Sequence, residues 1–375
     1  MMHKIVFICC CLLINAASAQ IKVRFVVKER PALHTSDTIN IAGSFNAWNP
    51  SDKRYRLLPF NASSLDLQLA PGNYEYKLTR GGWDKVETAK DGKDIGNRSF
   101  ALTKDTVIEL SPGGWKDDFK TETVVRKHTA SPHVSMLDSA FTIPQLNRTR
   151  RIWVYLPGDY ATTKKKFPVL YMHDGQNIFD EATSGFGEWG VDEALDSLFK
   201  QGIKECIVIG IDNGTKRMSE YNPYEFKPYG AGEGDKYVDF LANTLKPYID
   251  KTFRTKADKK NTFIAGSSMG GLISLYAVMK YPKVYGGAGI FSPAFQTAPV
   301  LENDLAKSAK KIKSRLFFYA GGQESTTMIS NMQKIEAAIK ALSSSKIYER
   351  VDMEAKHNEP AWRKYFPEFY KWIIN

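Results

Sequence analysis

Cysteine is scarce. Of the four in the chain, Cys9, Cys10 and Cys11 lie within the first 19 residues, and only Cys206 lies beyond them. Without that leading stretch no internal disulfide can form, so the fold must rest on buried apolar surface rather than covalent staples. Cys206 sits in the apolar run 206–211 and reads as a small buried hydrophobe, not a reactive thiol. Long apolar runs are also missing. The run Ile5 to Ile14 is too short to cross a bilayer and nothing later is longer, so no membrane span is expected. Nor is the positive charge blocked together. The formal net charge is +11, yet lysines and arginines are scattered among 41 acids, with Lys164-Lys165-Lys166 the one basic block. A solvated basic surface is expected, with no nucleic-acid partner. Histidines are few and never cluster at ligand spacing, so no metal site is expected. His173 and Asp174 read instead as a buried, hydrogen-bonded pair of positions.

What is present begins with an export signal. Lys4, the short apolar run and the closing Ala17-Ser18-Ala19 form a secretory leader, with cleavage expected before Gln20. The product should therefore be secreted or periplasmic. At 375 residues the chain should hold two domains. From 20 to 112 it reads as short alternating strands, such as Leu65-Asp66-Leu67-Gln68-Leu69, separated by turns such as Pro71-Gly72-Asn73. That pattern implies a small all-β, immunoglobulin-like sandwich. Ser111-Pro112-Gly113-Gly114 breaks it, and 113–133 reads as a linker. From 134 to 375, near-continuous apolar strands (169–173, 207–211, 262–265, 287–291, 316–319) alternate with amphipathic helices (191–199, 237–253, 270–281, 328–342). Such alternation implies a doubly wound, mainly parallel α/β sheet.

The most informative stretch is Ile264 to Leu272, reading I-A-G-S-S-M-G-G-L. A buried strand runs into G-x-S-x-G and straight out into a helix, the context of a nucleophile elbow. Gly266 and Gly270 give strand and helix room to close, and Ser268 is lifted toward the helix N-terminus as the expected nucleophile. In an α/β-hydrolase the acid and then the histidine follow the serine. Only His357 follows Ser268, so it is the expected base. Glu324, just past the strand 316–319 and behind Gly321-Gly322, is the expected acid; Glu302, Asp304, Glu336 and Asp352 fall in loops, helices or mid-strand. The oxyanion hole is expected from the amides of Met269 and of Gln176, in the loop after strand 169–173.

These stretches resemble the esterase D-type α/β-hydrolases, which include feruloyl, acetyl xylan and enterochelin esterases. The matching segments are PVLYMHDGQNIFD (168–180), GSSMGG (266–271), FSPAF (291–295), GGQE (321–324) and HNEPAW (357–362). The resemblance covers about two thirds of the chain and implies a Ser268–Glu324–His357 triad with no cofactor. Gln296, where the family often has tryptophan, is a departure that bears on the substrate pocket. The amino-terminal part resembles glycogen- and starch-binding modules through GSFNAWNP (43–50) and GNYEYKLTRGGW (72–83). That likeness implies sugar contacts from Trp48, Trp83, Lys77 and Asn97, or a sandwich that shapes the substrate cleft. The expected activity is hydrolysis of acetyl or feruloyl esters on plant polysaccharide through an acyl-enzyme. The alternatives are a siderophore trilactone esterase and a non-catalytic carbohydrate-binding protein.

Overall fold

The computed structural model describes residues 20–59, 64–119 and 127–375; the expected secretory leader lies outside them. The chain divides into two compact units, Met1–Val124 and Val125–Asn375.

In the first unit the strands are β1 (Ile21–Val27), β2 (Ile39–Gly43), β3 (Arg56–Leu57), β4 (Ser64–Leu69), β5 (Gly72–Thr79), β6 (Glu87–Thr88), β7 (Arg98–Leu102), β8 (Thr106–Leu110) and β9 (Gly114–Trp115). They pair as β4-β1-β8, as β3-β2-β5-β7 and as the short ribbon β6-β9. Period-two alternation decides what each strand buries. On β1, Val23 and Phe25 are buried while Arg24 points out to Asp66; on β5, Tyr76 and Leu78 are buried while Lys77 is only partly covered. The inward side chains of the two larger sheets share one core, closed by Leu110 and Trp115.

The stretch expected to be a linker is structured at both ends. Trp115 pairs through β9 with Glu87 and is buried in the core of the first unit. At the other end, His128 bonds Asp180, Thr129 bonds Glu188 and Ser131 bonds Asp192, all in the second unit. Polar composition suggested a tether because these contacts are hydrogen bonds and one isolated tryptophan, which carry no periodicity.

In the second unit the strands are β10 (Val134–Ile143), β11 (Arg148–Tyr155), β12 (Val169–His173), β13 (Ile207–Ile211), β14 (Thr262–Ser267), β15 (Gly287–Phe291), β16 (Arg315–Gly321) and β17 (Lys346–Asp352). Their order is β10-β11-β13-β12-β14-β15-β16-β17, antiparallel at the β10-β11-β13 end and parallel from β13 onward. The central strands are apolar on both faces because each face is covered. Val169 and Tyr171 enter one core and Leu170 and Met172 the other; Ile207 and Ile209 likewise oppose Cys206 and Val208. Burial among these groups pushes the Cys206 thiol up to about 12, so it stays protonated and apolar. The helices are α1 (Val191–Lys200), α2 (Arg217–Glu220), α3 (Gly234–Phe240), α4 (Lys246–Thr252), α5 (Met269–Lys280), α6 (Leu301–Ser308), α7 (Met328–Leu342) and α8 (Glu359–Ile374).

Two departures from expectation have local causes. The single helix expected over 237–253 is α3 and α4 joined by a π-helical stretch, Leu241–Leu245. Pro247 has no N–H to give back along the helix, and a widened turn before it relieves the clash of its ring. Strand β10 was not foreseen, because register shifts at Met136/Asp138 and Asp138/Phe141 break its alternation.

Trp115→Ala tests whether 114–115 belongs to the first unit. Emptying so large a buried site should cost about 3–5 kcal/mol. Calorimetry should show a transition moved down by many degrees, whereas a tether residue would leave the trace unchanged.

Candidate active site

β14 delivers Ser268 into a backbone conformation, φ 58° and ψ −118°, that an L-residue rarely adopts. Such a position costs of order 1–3 kcal/mol and persists only where its surroundings over-determine it. Here they do. The Ser268 N–H donates to the Phe291 carbonyl at 2.9 Å, and its own carbonyl accepts from Ala294 N at 3.0 Å and Gly271 N at 3.1 Å. The flanking glycines have no spare room. A Cβ on Gly266 would lie 3.0 Å from Gly270 and from the His173 ring, and one on Gly271 would lie 2.8 Å from the Phe291 carbonyl oxygen. His173 thus forms the wall behind the turn. It is buried, its Nδ1 lies 3.0 Å from the Tyr237 hydroxyl, and burial drives its pKa down to about 3, so it stays neutral.

Beyond β16 the chain turns through Gly321 and Gly322, where side chains would strike the backbone of 353–355. This brings Glu324 back beneath the strand end with its side chain fully buried. Glu324 Oε1 accepts from Gly321 N at 2.5 Å and from Ser292 Oγ at 2.6 Å, and Oε2 lies 2.7 Å from His357 Nδ1. A carboxylate can only accept, so His357 carries its proton on Nδ1. Nε2 is left as the basic nitrogen. The imidazole is 36 % exposed, packed edge-on against Trp362 at 5.1 Å. Ser268, Ser292, Glu324 and His357 therefore follow the carboxyl ends of the four neighbouring parallel strands β14 to β17. Among the described residues no hydrogen bond joins the Ser268 hydroxyl to His357. Such contacts are often long before substrate binds.

Met269 opens α5, so its amide is one of those a helix leaves without an internal acceptor. Gln176 sits in the turn Gly175–Asn177 after β12, the strand next to β14. Its carbonyl accepts from Thr183 Oγ1 at 2.8 Å and its Oε1 from Asn213 N at 3.1 Å, which fixes the turn.

Sequence reasoning missed three parts of this site. Ser292 Oγ donates to Glu324 and accepts from Trp362 Nε1 at 2.8 Å, linking the FSPAF and HNEPAW segments through one hydroxyl. Arg217 grips Asp174 through two bonds of 2.7 and 2.8 Å, and Asn213 adds a third at 2.7 Å. Burial would raise the Asp174 carboxyl, but the Arg217 charge and these bonds hold it below its ordinary value. The third is Glu359, 7 % exposed at the start of α8. Burial pushes its carboxyl up to about 7; the Asp174 charge adds to this, while His357 and Arg217 oppose it.

In the first unit, Trp48 and Trp83 come from separate loops to within 6.5 Å, ring to ring, at 39°. Trp83 is 43 % exposed. A cavity of about 500 Å³ is lined by Ser51 and by Arg80 and Gly81 of the same two loops. Lys77 is held by the Ile95 carbonyl, and Asn97 donates to Glu75 at 3.2 Å. The paired rings are thus outside the core, while Lys77 and Asn97 already have partners.

Glu359 gives a pH test. A carboxyl raised by folding favours the folded state while protonated, so its contribution is complete below the unfolded pKa and is lost as pH rises toward 7. Glu359→Gln should therefore change stability little at pH 4.5 and raise it at pH 8. Denaturant midpoints at the two pH values measure this, and an equal shift at both would contradict the burial argument.

Residues 143–373 match the Esterase family, described as “Putative esterase”. The uncharacterized protein YbbA of Bacillus subtilis is 26 % identical over 241 residues, 60 % of this chain and 92 % of that protein. An endo-1,4-beta-xylanase/feruloyl esterase of Xylanibacter ruminicola is 33 % identical over 144 residues, 37 % of this chain but only 19 % of that protein. Among solved structures, the enterobactin esterase FES of Shigella flexneri has a TM-score of 0.53 at 17 % identity, over 90 % of this chain and 88 % of that one. The family match spans well over half the chain and contains Ser268, Glu324 and His357: the protein belongs to the Esterase family and is a carboxylic ester hydrolase.

Proposed function

We propose that this protein is an exported serine esterase that removes acyl groups, acetyl or feruloyl, from plant polysaccharide. The observation that carries the reading is the 2.7 Å bond from His357 to the buried, doubly hydrogen-bonded Glu324, beside a serine held in a strained elbow. In the proposed reaction Ser268 Oγ attacks the ester carbonyl carbon while His357 Nε2 takes its proton. The amides of Met269 and Gln176 hold the oxyanion, and Glu324 stabilises the imidazolium through Nδ1. Collapse breaks the bond to the sugar oxygen, which leaves with the proton from His357. Water then repeats the sequence on the acyl-serine and regenerates the enzyme. The likeness to the endo-1,4-beta-xylanase/feruloyl esterase of Xylanibacter ruminicola supports the choice of ester.

In the first unit, an immunoglobulin-like sandwich carrying Trp48 and Trp83 would supply a flat aromatic platform for an α-glucan or a related chain, with Lys77 and Asn97 at its edge. The neighbouring polar cavity supports this reading. The enterobactin esterase fold favours one alternative substrate, a catecholate trilactone. Parallel assays on acetylated xylan, methyl ferulate and such a trilactone separate the two, and turnover of the trilactone alone would overturn the polysaccharide assignment.

Ser268→Ala should abolish hydrolysis of a short p-nitrophenyl ester, a loss on the order of a million-fold in the extreme case. Its melting temperature should not fall, since alanine only removes the hydroxyl. Glu324→Gln should lower turnover by ~10³–10⁴. Glu336→Gln, on α7 with its carboxylate against Lys340, is the control and should leave turnover intact. If the two glutamate variants behaved alike, the acid would lie elsewhere.

Replacing both Trp48 and Trp83 with alanine should abolish binding to a soluble α-glucan in affinity electrophoresis. Stability should change far less than the ~3–5 kcal/mol expected for a buried tryptophan. Hydrolysis of the small ester should survive. Glucan binding that persisted in the double variant would remove the platform.

A further inference from the structure

Seven basic residues that look scattered in sequence are gathered along one edge of the eight-stranded sheet. That edge is formed by the amino ends of the parallel strands, opposite the ends that carry Ser268, Glu324 and His357. Taken in spatial order, Lys204 precedes β13 and Lys256 lies beside the start of β12, where Phe167 bridges Thr255. Lys259 and Lys260 precede β14, Lys313 and Arg315 meet β16, and Lys346 opens β17. The last five line an open cavity of about 800 Å³ with Ser314, Ser344 and one acid, Asp258. Five interstrand spacings separate the first strand of this row from the last, about 24 Å in all.

None of these ammonium groups has a carboxylate partner among the described residues, in a chain whose other lysines often do. Lys259 Nζ is turned onto the Lys313 carbonyl, and Asp258 already accepts from Asn261. The group is consequently frustrated. Desolvation lowers the Lys204 ammonium below its ordinary value, and repulsion from Lys256, Lys260 and Arg315 adds to this against the opposing pull of Asp258; Lys259 is lowered by desolvation and by Lys313. The floor beneath them is rigid. Gly286, Arg315 and Lys346 donate their amides to the carbonyls of Thr262, Gly286 and Ser314, and any Cβ on Gly286 would strike the Lys259 carbonyl. A row of unpaired cations over a fixed floor is an electrostatic site awaiting an anion.

We propose that this row binds an acidic polysaccharide, holding successive uronate carboxylates one or two per strand. A single small anion would engage only part of a line this long. Lysine ammonium groups are point charges that do not demand the planar, two-bonded geometry of a guanidinium, which suits carboxylates spaced along a flexible chain. None of the residues lining the cavity is aromatic, so it lacks the stacking surfaces single-stranded nucleic acids use. The choice of a glycan rests on the polysaccharide reading above; the anion site itself does not.

The test is binding of unesterified polygalacturonate to the whole protein, measured by affinity electrophoresis and calorimetry at two salt concentrations. The polymer carries no ester, so the result is independent of the hydrolase activity and of its substrate. The protein should bind, and more weakly at higher salt. The fourfold variant Lys259→Gln, Lys260→Gln, Lys313→Gln, Lys346→Gln should weaken binding by at least ~10-fold while p-nitrophenyl ester hydrolysis is unchanged. A second variant with the same charge loss, Lys227→Gln, Lys236→Gln, Lys307→Gln, Lys334→Gln, should still bind. No binding at moderate salt, or equal weakening in both variants, would overturn the site. Duplex DNA bound as tightly as the uronate polymer would overturn its assignment to acidic glycans. If polygalacturonate binds but every polysaccharide ester assay fails, the row stands and the substrate reading falls.

Discussion

The backbone of Ser268 is the constraint on which the rest of the second unit depends. A residue at φ 58° and ψ −118° does not hold that conformation by its own preference. It is held because β14 is sandwiched between β12 and β15, because the Phe291 carbonyl takes its N–H, and because Gly266, Gly270 and Gly271 let a strand, a helix and the His173 ring meet at contact distance. Each of these conditions draws in another. His173 must stay small in charge, and burial keeps it neutral. Its neighbour Asp174, also in the left-handed region, needs Arg217 and Asn213 to hold it. The strain at the serine is thus distributed over several loops that sequence separates widely.

The same economy governs the histidine side. One hydroxyl, Ser292, ties the end of β15 to the acid after β16 and to the tryptophan of α8. Trp362 in turn packs its ring against the imidazole. Rotating any of the three would leave a buried donor or acceptor unmet, which typically costs about 1–3 kcal/mol. The orientation of His357, a residue more than a third exposed, is therefore fixed from its buried side.

Much of this could be read from the sequence because it is written in local terms. G-x-S-x-G between an apolar strand and a helix is a contiguous signal, and a lone histidine after the serine leaves little choice. The central strands, 169–173 and 207–211, are apolar on both faces and matched expectation residue for residue. What escaped was non-local or irregular. Ser292 is an ordinary serine until its two partners, 32 and 70 residues away, are known. Strand β10 lost its period to register shifts, and Trp115 sat in a polar stretch whose partners lie far back in the chain. The shared core of the first unit's two larger sheets follows from alternation, while how the strands divide between them does not.

The basic row shows the same limit in electrostatics. Charge composition alone supports only a solvated surface, because the residues at 204, 256, 259, 313 and 346 fall in four separate segments. A parallel sheet turns sequence separation into spatial succession: every strand begins at one edge and ends at the other. Residues just before successive strands must therefore line up, whatever lies between them. Here that edge collects five cations against the single acid Asp258, while the opposite edge collects the serine, the glutamate and the histidine. One topological rule thus builds two chemically distinct edges. Because they lie at opposite ends of the same strands, the charge of one can change with little effect on the hydrogen bonds of the other.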